Sequence, residues 1–130
     1  MSLAQSYLLK ARSRLRVLQV LLEEEAYSDV VREAQEAVEL GLKGMLRQVG
    51  VEPPKWHDVG GFLLQNSHRF PSLESGKLER LAEISTRLRK EREFSFYGDI
   101  DFIPTEQYSL QDAQQAIDEA QTVVTKLSPS

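Results

Sequence analysis

Apolar residues recur along most of this chain at alternating steps of three and four, the period of a helix that buries one side. The first set is Ala4, Tyr7, Leu8, Ala11, Leu15, Leu18 and Leu22, one long amphipathic helix that fades at Glu23-Glu24-Glu25. A second helix begins near Ser28 and sets Tyr27, Val31, Ala34, Val38, Leu42, Met45 and Val49 on one face. Gly50 stands where a helix C-terminus favours glycine, and Pro53-Pro54 cannot continue the helix. A shorter helix is predicted over about 57–68, anchored by Val59, Phe62 and Leu63 and broken by Pro71. The fourth runs from 73–76 to Phe94 with Leu78, Leu81, Ser85 and Leu88 as its seam, and a loop containing Pro104 follows. Ser109 and Asp112 then stand at capping-box spacing ahead of Leu110, Ala113, Ile117, Ala120, Val124 and Leu127. No segment keeps a period of two. The pattern predicts an all-α fold: an antiparallel bundle of four long helices plus one short helix, in one domain over 1–130.

Small residues interrupt the second helix at Ala34, Ala37, Gly41 and Gly44. Glycine inside a helix costs about 1 kcal/mol against alanine, so these positions point to close approach of another helix. Gly60-Gly61 lacks the lysine and the serine or threonine of a phosphate loop and reads as a tightly packed first turn. In Trp56-His57-Asp58, either His57 or Asp58 is placed to cap the third helix or complement its dipole. The alternative is that His57 lines a groove.

Composition narrows the chemistry. With 130 residues, 41% apolar and 28% charged, the chain can build a real core. It has no cysteine, which excludes disulfides, thiol nucleophiles and cysteine-based metal sites. Two histidines, His57 and His68, are too few for an ordinary zinc site, and neither a metal nor a cofactor is expected. No apolar run is long enough to span a bilayer, so no membrane partner is expected and the cytoplasm is the expected location. Walker, Rossmann, zincin and nucleophile-elbow motifs do not occur.

The net charge of −4 argues against duplex DNA as a partner, but the charge is uneven. Residues 1–22 carry Lys10, Arg12, Arg14 and Arg16 with no acid, while 93–130 carry seven acids against Lys126. The densest cluster is Arg87, Arg89, Lys90 and Arg92. One more step along the Leu78–Leu88 seam lands on Arg92, and a guanidinium facing the bundle needs an anion or a cavity. Glu36, Glu39 and Asp99 are its candidate internal partners.

Four pieces occur in order: Tyr27, then Ala37-Val38-Glu39 with Leu42-Lys43-Gly44, then Pro54-x-x-His57-Asp58, then an arginine-ended helix before an aromatic residue and an acid. In that order the chain resembles the HEPN family, the higher eukaryote and prokaryote nucleotide-binding domain. The resemblance implies a helical bundle that is usually homodimeric and often acts beside a minimal nucleotidyltransferase in a toxin–antitoxin pair. Many members are metal-independent ribonucleases. Their motif is an arginine, four to six residues, then a histidine, often with a tyrosine two residues on. Here Arg92 matches the arginine, but Tyr97 stands where the histidine would be and Asp99 where the tyrosine would be. The anion-holding half is kept; the proton-shuttling half is missing, since a tyrosine with pKa near 10 is a poor base at neutral pH.

The expected ligand-binding residues are therefore Arg89, Arg92, Tyr97 and Asp99, for a nucleotide, an RNA phosphate or a partner protein. Tyr97 is expected on a loop reaching over the arginines, and Arg87 is expected to be solvated or paired with Glu83 or Glu91. If the chain is instead an active ribonuclease, Arg92, Tyr97 and His57 are the catalytic candidates. A purely structural helical dimer is the third reading.

Overall fold

The computed structural model describes residues 2–55, 58–97 and 108–126, with the side chains of Ser75, 91–97 and Lys126 outside that description. The chain order is α1 (Leu3–Glu23), α2 (Tyr27–Gln48), α3 (Val59–Gln65), a 3-10 turn (Ser67–Arg69), α4 (Ser75–Tyr97) and α5 (Leu110–Lys126). Four long helices and one short one make an all-α bundle, and no strand occurs among the described residues. No helix is long and apolar enough to cross a membrane among those residues.

The second helix is the hub. It packs against each of the other four, and Val30, Val31, Ala34, Ala37, Val38, Leu42, Met45 and Leu46 are buried along it. The connection from α1 is three residues long, Glu24 to Ala26, which forces α1 and α2 to run antiparallel. Arg14, midway along α1, meets Glu33 of α2 at 2.9 Å. At the far end Arg47 lies over the Tyr7 ring, 5.6 Å from its centroid. Between them a Cβ at Gly44 would sit 3.0–3.1 Å from Leu8 and Tyr7, so glycine lets α1 settle onto α2. The small-residue strip on α2 is thus used inside the chain: Ala34 and Ala37 are fully buried and Gly41 and Gly44 are buried too. That strip offers no surface to a second copy.

The local signals act as their chemistry requires. Gly50 follows the end of α2 at φ +78°, where a side chain would be strained. Ser109 and Asp112 close the reciprocal capping box of α5 at 2.9 and 3.1 Å. The seam Leu78, Leu81, Ser85 and Leu88 is buried throughout.

Two boundaries differ from the pattern. The third helix ends at Gln65 rather than near His68, because Asn66 turns its side chain back onto the Phe62 carbonyl at 3.0 Å and the chain tightens into the 3-10 turn. The fourth helix continues past Phe94 to Tyr97. The aromatic residues Phe94, Phe96 and Tyr97 are no helix breakers, and Gly98 is the first residue in the sequence that is.

Candidate functional site

The third helix is fastened to α4 by its first turn. Asp58 accepts from the Gly60 N–H at 3.1 Å, satisfying one of the free donors at the helix start. Its second oxygen accepts from the Thr86 hydroxyl on α4 at 3.0 Å. Asp58, not His57, therefore supplies the cap; His57 lies outside the described residues. Gly60 faces the α4 backbone so closely that a Cβ there would lie 2.9 Å from the Ala82 carbonyl. The glycine pair is the packed turn its sequence suggested, not a phosphate loop.

A groove of about 720 Å³ runs along this junction, with Leu64 and Ala82 in its lining. Its charge is ordered along α4. Glu79 and Glu83 line one end, and Arg87 and Lys90 line the other, toward Arg89 and Arg92 in the sequence. Thr86 was not singled out from the sequence, and Lys90 stood there only as one member of the basic cluster. Their signal was their helical spacing from Arg87 and Ala82, which becomes legible only once α3 is laid on α4.

Arg87 is neither a lone solvated cation nor paired with Glu83, although part of its side chain stays in water. Its guanidinium bonds to the carboxylate of Glu119 on α5, whose side chain is only 5% exposed. Arg80 approaches the same carboxylate at 3.8 Å and Glu83 at 3.8 Å. A carboxylate this buried is stable only when paired, and Arg87 is committed to it. The Arg87 Nε is itself buried without a hydrogen-bond partner. This corrects the expectation from α4 alone, which could not know that Glu119 sits across the helix interface.

Arg89 is partly buried and already engaged with another group. Arg92 and Tyr97 belong to α4 by their backbone, while their side chains, like all of Asp99, lie outside the described residues. Tyr97 is the last residue of the helix and not part of a loop after it. Positions 89 and 92 are three apart and share a strip of the helix; positions 92 and 97 are five apart, about 140° around its axis. Among the described residues no group of three histidine, aspartate or glutamate side chains is placed to hold a metal ion.

These features define a small helical-bundle domain with a charged groove beside its fourth helix. A family model described as the HEPN domain matches residues 4–128, and the chain belongs to that family. It is similar in fold to a protein of known crystal structure, TT1696 from Thermus thermophilus, with a TM-score of 0.72 and 23% sequence identity. The match covers 98% of this chain and 97% of that one. No curated protein matches the chain.

Proposed function

We propose that this HEPN domain is a binding subunit that holds a phosphate of a nucleotide or RNA through Arg89 and Arg92 and has no ordinary ribonuclease activity. The family supplies the prior for nucleotide or RNA chemistry. The observation that carries the assignment to these residues is their placement: positions 89 and 92 share a strip at the end of α4, next to the Lys90 end of the groove. The missing histidine after Arg92 supports binding without cleavage. On this reading the chain works as a homodimer in the cytoplasm, beside a minimal nucleotidyltransferase of a toxin–antitoxin pair.

The test is titration of a fluorescent single-stranded RNA oligonucleotide, and of ATP, into the wild type and single variants. Arg92→Ala is expected to weaken binding by at least about tenfold, the scale of one hydrogen bond to a charged group. Its melting temperature should be nearly unchanged. Wild-type protein that binds neither probe, or an Arg92→Ala variant that binds both equally well, overturns the assignment.

A further inference from the structure

Two adjacent glycines stand in the first turn of α3, and the bundle explains only one of them. Gly60 is required because a Cβ there would meet the Ala82 carbonyl at 2.9 Å. Gly61 has no such neighbour: a Cβ would find only Asp58 Oδ2, at an ordinary 3.7 Å. Glycine inside a helix costs about 1 kcal/mol against alanine, and no contact among the described residues offsets that at position 61. Three residues on, on the same face of α3, Leu64 is 39% exposed. Both line the groove between α3 and α4, together with Ala82. Open backbone beside an exposed leucine is a shelf onto which another chain can settle closely.

The middle of the groove can be covered at little cost. The Thr86 hydroxyl and the Gly60 N–H both donate to Asp58, so an apolar side chain laid over them strands no donor. Charge then selects what lies there. Positions 79, 82, 83, 86, 87 and 90 step 3-1-3-1-3 and form one strip of α4, about 16 Å from first to last. Glu79 and Glu83 are exposed at one end of it and Lys90 at the other. That order sets a phosphate backbone against the glutamates and a purely basic segment against Lys90. It complements a segment with bases at one end, an apolar centre and an acid at the other, and its length is that of three helical turns.

We propose that the α3–α4 groove is the docking site for an amphipathic helix of a partner protein of different sequence. Apolar residues of that helix, three or four apart, lie over Gly61 and Ala82 beside Leu64. Its basic residues face Glu79 and Glu83, and an acidic residue faces Lys90. Three turns cover well under the ~800 Å² per partner of a standard interface, so the complex is a transient one. Positions 89 and 92 lie outside the strip, so this site and the phosphate reading stand or fall separately.

The test is to pan a display library of helical peptides, about 14 residues long so as to span the groove, against the full chain. Enriched peptides are expected to carry an apolar pair at i,i+3 or i,i+4 between a basic end and an acidic end. Gly61→Leu fills the shelf from its open side and Leu64→Asp places a charge on it. Each is expected to weaken the best peptide by at least about tenfold, the scale of losing a central contact. Circular dichroism checks that both variants keep their helix content. Glu79→Lys combined with Glu83→Lys changes only exposed positions and should invert the preference, so that repanning selects acids at that end. No enrichment, enrichment without an order of charge, or peptides that bind every variant as well as the wild type overturns the proposal. So does RNA binding, or self-association in sedimentation, that Gly61→Leu abolishes, since either gives the groove to a different ligand.

Discussion

Arg87 on α4 and Glu119 on α5 form an ion pair across a helix interface, with the carboxylate almost fully enclosed and the guanidinium reaching the rim of the groove. The pair ties the wall of the candidate site to a helix that contributes nothing else to it. Arg80, at 3.8 Å from the same carboxylate, adds a weaker and more exposed contact. Burying the carboxylate is unfavourable by itself, so the arrangement is stable only as a unit.

Removing one partner should therefore harm the protein more than removing both. Arg87→Met is expected to cost about 1–3 kcal/mol in urea unfolding, the lower part of the range for a broken buried pair because a third of the Arg87 side chain remains in water. Arg87→Met combined with Glu119→Leu should recover most of that loss. A double variant whose loss equals the sum of the two singles would show that the pair carries no coupling.

The junction of α3 with α4 sets two neighbouring glycines apart. Gly60→Ala pushes a methyl group into the Ala82 carbonyl and is expected to destabilise the fold by about 1–3 kcal/mol. Gly61→Ala meets only Asp58 Oδ2 at 3.7 Å, an ordinary contact, and should stabilise by about 0.4–1 kcal/mol through the unfolded state. Equal thermal shifts for the two variants would contradict the packing described.

Asp58 holds two bonds where Thr86 holds one. Asp58→Ala loses both the cap of α3 and the strap to α4, and about 1–2 kcal/mol is expected. Thr86→Val removes the strap alone and should cost less. Hydrogen exchange separates the two: protection in residues 59–65 should fall for Asp58→Ala well beyond the change seen with Thr86→Val.

Wild-type protein is expected to cleave single-stranded and transfer RNA at background. Tyr97→His recreates the arginine-to-histidine spacing of the family motif and should raise cleavage above that background. The same gain should vanish when Arg92→Ala is added. Robust wild-type cleavage abolished by Arg92→Ala would instead identify a ribonuclease that works with a non-standard residue.

What the sequence determined by itself was everything carried by local periodicity and caps. The 3-4 stepping of Leu8, Leu18, Leu42, Leu81 and Ile117 marks buried faces because each helix repeats its side chains every 3.6 residues, whatever it packs against. Ser109-Asp112 and Gly50 marked ends for the same reason, since a cap answers to the backbone a few residues away. The ordered pieces from Tyr27 to Asp99 likewise pointed to the HEPN family, to which the match over 4–128 assigns the chain. The site was legible only as a cluster of cations on α4. That Arg87 is paired across the bundle depended on Glu119, 32 residues beyond it in the chain, and the groove wall depended on the close approach of Gly60 to Ala82. Those are relations between helices. Periodicity shows that a face is buried but not which face it meets, so the partner of Arg87 emerged only when the bundle was assembled.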